Sequence, residues 1–237
     1  MQKRELRQLI CSMLLGDGTL WTTPTGYKGI FQLCHGPKQY DYLVWKRDLV
    51  NSFFEGKNSS KRMREIRHVK MSNGYDCYIA TLSWQQYFRI LYKWCYPNRR
   101  KSFEFLLSQT SSPLHLAIWL MDDGSEAKRK TKHLDGTEYL CNPYYILELG
   151  KCSEGEANLA IQWFSTNFLV NPKKLVYKTH CWRLRFTAPE TKQLFYKCGK
   201  FFNEIPSMRN KFWLSFMKYQ FERPNTLSRE DIVHNQH

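Results

Sequence analysis

Ile10-Cys-Ser-Met-Leu-Leu-Gly-Asp17-Gly18 and Leu116-Ala-Ile-Trp-Leu-Met-Asp-Asp123-Gly124 are two apolar helical runs, each ending in an acidic residue followed by glycine. Alone, an Asp-Gly after such a run signals a helix C-terminus with its glycine in the left-handed conformation. Its recurrence suggests a duplicated unit related by a pseudo-two-fold axis, which would bring Asp17 and Asp123 together. Two carboxylates at one point are costly unless a divalent cation compensates them.

The segments after each copy also recur, in the same order. After Asp17 come a strand-like run, Lys28 to Cys34, and a helix-like run, Lys38 to Phe54; after Asp123 come Tyr144 to Gly150 and Glu154 to Phe168. Phe31 and Leu33 correspond to Leu147 and Leu149 on one strand face, and Gln32 to Glu148 on the other. Two further strands are predicted in each half, Met63 to Met71 with Tyr75 to Leu82, and Lys174 to His180 with Cys181 to Phe186. A helix closes each unit, Trp84 to Cys95 before Pro97-Asn-Arg-Arg-Lys101, and Glu190 to Phe202 before Pro206-Ser-Met-Arg-Asn-Lys211. Lys101 and Lys211 thus occupy nearly equivalent places. The fold class is α+β: tandem αββαββα units in which two antiparallel sheets form a saddle with the motif helices at its centre. The boundaries expected are 1–110, 111–221 and a polar tail, 222–237.

These residues resemble the LAGLIDADG homing endonucleases, in their single-chain, two-motif, intron-encoded form. The most specific part is Pro113-Leu-His-Leu-Ala-Ile-Trp-Leu-Met-Asp-Asp-Gly124; the first copy is looser. Where the family favours small residues for close packing of the motif helices, Ser12 and Gly16 conform and Ile118 and Trp119 are bulky. The resemblance places the metal-binding acidic residues at Asp17 and Asp123, with Gly16 and Asp122 beside them in the metal set. It implies a monomeric enzyme that cuts both strands of a long asymmetric duplex to leave short 3′ overhangs, in the service of intron mobility.

Composition agrees. With 36 Lys and Arg against 21 Asp and Glu, the 237-residue chain carries a formal charge of +15, which favours a polyanionic partner, double-stranded DNA first. No apolar stretch approaches the ~20 residues that span a bilayer, so no membrane role is expected. The N-terminal segment lacks the apolar core of a signal peptide, and the eight cysteines form no Cys-x-x-Cys pair. An intracellular setting, bacterial cytoplasm or an organelle, is therefore expected, with reduced thiols. No splicing domain precedes or interrupts the motifs, which favours a self-standing intron-encoded protein over an intein.

The basic residues acquire meaning from their spacing, because a strand shows alternate residues on one face. In the run 62–70 the even positions Arg62, Arg64, His68 and Lys70 would face phosphate, as would Arg183 and Arg185, which alternate with Trp182, Leu184 and Phe186. Lys128, Arg129, Lys130 and Lys132 lead into Asp135-Gly136, the expected tip of a long hairpin that tracks the duplex backbone. Gln32 is the leading candidate for base reading, with Glu148 as its counterpart. The aromatics suit core packing, and the histidines form no metal-ligand spacing.

Phosphodiester hydrolysis needs an activated water and stabilised charge on the entering and leaving oxygens. Asp17 and Asp123 would hold Mg²⁺, with Mn²⁺ or Ca²⁺ able to substitute for binding, while Lys101 and Lys211 would polarise or deprotonate water or support developing charge. Each half reads about one helical turn, implying a site on the order of 20 bp. No obligate protein partner is expected. Two alternatives keep the same scaffold: an intron maturase that binds intron RNA, and a DNA-binding regulator that does not cut. Retention of both aspartates and both lysines favours cleavage.

Overall fold

The computed structural model describes residues 2–23, 29–55, 62–127, 130–132, 138–140, 143–178, 181–212 and 215. The first half runs α1 (Gln2–Leu15), β1 (Thr19–Thr22), β2 (Gly29–His35), α2 (Tyr40–Ser52), β3 (Arg67–Lys70), β4 (Asp76–Ser83) and α3 (Gln85–Cys95). A linking helix, α4 (Phe103–Gln109), leads to α5 (Pro113–Asp123), β5 (Gly124–Ala127), a hairpin of β6 (Lys130–Lys132) and β7 (Glu138–Leu140), β8 (Tyr144–Lys151), α6 (Glu154–Phe168), β9 (Lys173–Lys178), β10 (Cys181–Phe186) and α7 (Ala188–Glu204). The αββαββα unit therefore occurs twice, with the hairpin inserted in the second copy. Sheet order repeats as well: β1-β2-β4-β3 in one half and β5-β8-β10-β9 in the other, every pairing antiparallel.

Alternation explains both sheets. In β2 the buried residues Phe31 and Leu33 face the helices, while Ile30, Gln32 and Cys34 face outward; in β8, Tyr145, Leu147 and Leu149 are buried and Tyr144, Ile146 and Glu148 face outward. Each sheet thus lays one apolar face on helices and leaves the other open. The buried side chains of both halves form one continuous cluster. Trp119 stacks with Phe164 (5.7 Å between ring centroids) and meets Trp163 (5.6 Å) and Phe103 (6.3 Å), so its bulk fills the core under α6 and α4. Trp163 adds a hydrogen bond from its indole N–H to the Thr110 carbonyl (2.6 Å), tying α6 to the linker.

Three sequence expectations need correction. The motif glycines are not left-handed: Gly124 has φ −95° and ψ 157° and begins β5, and the positive-φ glycines among the described residues are Gly74 and Gly150. Space is what demands glycine. A Cβ on Gly18 would lie 2.6 Å from the Met13 carbonyl oxygen, and one on Gly124 2.4 Å from the Tyr145 ring. Secondly, the strand expected over 63–71 is only β3; Met63 is buried and Arg64 and Glu65 are both exposed, so Arg62 and Arg64 precede the strand and the alternation does not run through. Thirdly, β3 has the opposite phase. Arg67 opposite Ile79 shares the open face of Gln32, whereas His68 opposite Tyr78 and Lys70 opposite Asp76 lie on the reverse face, His68 3.0 Å from Asp76. The elements β1, β5, α4 and a 3₁₀ turn at Pro206–Phe212 are too short or too irregular for periodicity to show. Lys128, Arg129, the hairpin tip and the tail 222–237 lie outside the described residues.

Candidate active site

The motif helices α1 and α5 pack together, and their C-terminal ends deliver Asp17 and Asp123 to one place. Gly16 makes the approach close: a Cβ there would sit 2.2 Å from Asp122 Oδ2 and 2.4 Å from Asp122 Cβ. The seam therefore pairs a notch on one helix with a side chain on the other. The first copy carries the glycine and the second the aspartate.

The two lysines arrive by matching routes. Lys101 lies between the Pro97–Arg99 turn, where Asn98 and Arg99 both have positive φ, and α4, whose Phe103 is buried. Its ammonium donates to the Gly16 carbonyl (3.4 Å). Lys211 lies on the 3₁₀ turn anchored by Phe212, which stacks on Tyr145 at 4.3 Å and meets Phe202 edge-on at 4.6 Å. Its ammonium donates to the Asp122 carbonyl (3.1 Å). Each lysine thus binds the carbonyl of the residue before an aspartate, which is the pseudo-symmetry expressed in hydrogen bonds.

The carboxylates crowd one another. Burial, then the neighbouring Asp122 and Asp17, push the Asp123 carboxyl up to about 7. Asp17 is raised for the same reasons, burial first and Asp122 second, and its 43% exposed side chain lets water moderate the effect. Burial lowers Lys101 and Lys211, opposed by the three aspartates. A cleft of about 470 Å³ opens beside Asp123 and is lined by Gly16, Lys101, Glu148, Lys151, Arg99 and Arg100. Hard oxygen donors whose charged forms are disfavoured by one another suit a small divalent cation, so the residues present fit Mg²⁺.

The side chain of Asp122 turns into the first half. Its Oδ1 receives Lys46 Nζ (2.5 Å) and the Tyr42 hydroxyl (2.9 Å), and its Oδ2 receives the Asp17 backbone N–H (3.1 Å). Lys46 also contacts His35 Nε2 (3.3 Å), and burial followed by the Lys46 charge lowers the imidazole to about 4. Lys46, His35 and Tyr42 are site residues that sequence reasoning passed over. The signal was present: Tyr42, Leu43, Lys46 and Val50 form the buried stripe of α2, and a lysine inside an apolar stripe asks for a partner.

Above the centre the two sheets offer their open faces. Gln32 lies opposite Thr19 and Thr81, and its counterpart Glu148 lies opposite Arg183, whose Nε is 2.5 Å from Glu148 Oε1. Arg185 extends over the Tyr144 ring at 4.4 Å. The structure thus brings Asp17, Asp123, Lys101, Lys211, Gly16 and Asp122 together, sets Gln32, Glu148, Arg183 and Arg185 on the open faces, and leaves His68 and Lys70 behind. Lys130 and Lys132 lie on β6.

Comparison with known proteins adds an independent line. Residues 7–194 match the family model described as the LAGLIDADG DNA endonuclease family. Half of the chain is 33% identical over 122 residues to Protein RecA of Mycobacterium shimoidei and 31% identical over 122 residues to Protein RecA of Mycolicibacterium flavescens. In both cases the chain spans a quarter of the relative's length. Among solved structures, the homing endonuclease I-WcaI bound to its DNA recognition sequence superposes with a TM-score of 0.63 at 16% identity, over 88% of this chain and 85% of that one. That likeness concerns the fold.

Proposed function

Since the chain belongs to the LAGLIDADG DNA endonuclease family, we propose that it is a divalent-metal-dependent endonuclease that cuts both strands of a long, asymmetric DNA site and so promotes intron homing. The observation that carries this reading is the doubled constellation Lys101–Gly16–Asp17 and Lys211–Asp122–Asp123 between two open sheet faces. RNA binding or regulation alone gives no reason to hold two mutually repelling carboxylates and two half-buried lysines at one point.

Asp17 and Asp123, with the carbonyls of Gly16 and Asp122, would hold Mg²⁺, which when bound supplies Lewis acidity toward the scissile phosphate and its attacking water. The remaining work falls to the protein. Lys101 and Lys211, whose Nζ atoms donate to the Gly16 and Asp122 carbonyls, would polarise the attacking water or support the developing negative charge. Gln32 and Arg67 on one face, and Arg183, Arg185 and Glu148 on the other, would position the duplex and read base edges. Glu148 holds Arg183 in one place, which favours reading over loose phosphate contact. The hairpin β6–β7, with Lys130 and Lys132, would extend the backbone contacts.

The test is cleavage of a duplex spanning the uninterrupted insertion site, with Mg²⁺ or EDTA, by wild type, Asp17→Asn and Asp123→Asn. Metal-dependent cutting of both strands, reduced to nicking or abolished in the variants, is the expected result. Absence of cutting by folded wild type, together with tight binding of the intron RNA, would replace this reading with maturase.

A further inference from the structure

In the first half three ligand-type side chains converge: one atom each of Asp17, His35 and Asp122 lies within 4.8 Å of the others. Such a set, taken alone, suits a divalent ion, and its imidazole would shift preference from Mg²⁺ toward Mn²⁺ or Zn²⁺. A lysine stands there instead. Lys46 Nζ lies 2.5 Å from Asp122 Oδ1, 3.3 Å from His35 Nε2 and 4.3 Å from the Tyr42 ring centre, in a side chain fully removed from water.

The hydrogen bonds around it form a closed set. An ammonium only donates, so it takes the lone pair of His35 Nε2, leaving Nδ1–H to donate to Gln39 Oε1 at 3.2 Å. Asp122 accepts from Lys46 and Tyr42 with one oxygen and from the Asp17 N–H with the other. Among the described residues the second half has no equivalent: α6 carries no lysine, and Gly16, in the place of Asp122, has no side chain.

We propose that Lys46 is the resident cation of the first half, occupying the junction of Asp17, His35 and Asp122 in place of a divalent ion and fixing the backbone of Asp17 through the Asp122 carboxylate. Lys46 is thus a positioning residue, and it makes the two aspartates unequal: Asp17 is braced from behind, and among the described residues Asp123 has no such brace. The assignment rests on the nuclease reading in treating Asp17 as a working carboxylate, but its test requires no cleavage.

The test is Mn²⁺ titration of the DNA-free protein by calorimetry and thermal melting, with wild type, His35→Gln, Lys46→Met and Lys46→Met/His35→Gln. His35→Gln should bind Mn²⁺ as wild type does, because the imidazole is spent on Lys46. Lys46→Met opens the junction and should bind Mn²⁺ more tightly by roughly tenfold or more, the order expected on removing a buried like charge from an ion site. The double variant should lose that gain. Weaker Mn²⁺ binding by folded His35→Gln would overturn the assignment, as would a folded Lys46→Met that gains nothing. His35→Gln stays decisive if Lys46→Met fails to fold. A wild type that never cuts DNA would remove the nuclease reading while leaving these titrations intact.

Discussion

Gly16→Ala places a methyl group where the structure has none to spare. The new Cβ would lie 2.2 Å from Asp122 Oδ2, 2.4 Å from its Cβ and 2.7 Å from its Cγ, against an ordinary contact of about 3.5 Å. Two escapes exist. The ends of α1 and α5 separate by about 1 Å, an overpacking cost of about 1–3 kcal/mol. Alternatively Asp122 swings away and abandons Lys46 uncompensated in the core, a cost of about 3–5 kcal/mol. The cheaper route sets the result, so Gly16→Ala should cost about 2–3 kcal/mol. The control background is Lys46→Met/Asp122→Gly; alanine at 122 would keep the Cβ atom that lies 2.4 Å away. There the same Gly16→Ala should cost less than about 1 kcal/mol, a coupling of about 2 kcal/mol between positions from opposite halves. Urea unfolding followed by tryptophan fluorescence and circular dichroism measures both costs at a common slope. Equal costs in the two backgrounds would refute the notch-and-carboxylate account of the helix seam.

Three further outcomes are expected. His115 caps α5 by accepting the Ser111 and Ser112 backbone N–H groups at Nδ1 (3.3 and 3.4 Å), and burial lowers it from 6.5 to about 4. Because its folded pKa lies below the unfolded one, its contribution is fully present above pH 6.5 and is lost as pH falls toward 4, up to roughly 3 kcal/mol. The wild-type minus His115→Asn stability difference should shrink over that window, and a pH-independent difference would sink the assignment. On the open face of β10, Arg185→Ala should lower the slope of log binding constant against log salt by about 1 for each phosphate it no longer neutralises. Glu148→Ala, which removes the carboxylate partner of Arg183, should raise binding to unrelated duplexes; fluorescence anisotropy across a salt series checks both, and unchanged slopes would remove β10 from the interface.

Much of this protein is legible in its sequence because its strongest signals are local and repeated. The recurrence of an apolar run, Asp-Gly, an alternating strand and an amphipathic helix locates α1, α2, β2, β8, α5 and α6, and the second lysine run marks Lys211 as the partner of Lys101 from spacing alone. The failures are also local in origin. β1 and β5 have four residues each, too few for a period, and the strand expected over 63–71 reads through a break at Arg64 and Glu65, which reverses the face assigned to His68 and Lys70.

The sequence by itself determined the doubled architecture and the chemistry of its central residues, since hydrophobic periodicity and residue type are properties of the chain. Only the tertiary structure decided where each charge is spent. Asp122 and Asp123 are neighbours in sequence, yet one turns into a buried pocket with Lys46 and Tyr42 while the other remains beside the cleft. That division arises from a contact across the pseudo-dyad, the missing Cβ of Gly16 and the lysine within the stripe of α2. Electrostatic partnership at such a point is set by distances between segments far apart in the chain, and no spacing along the chain encodes them.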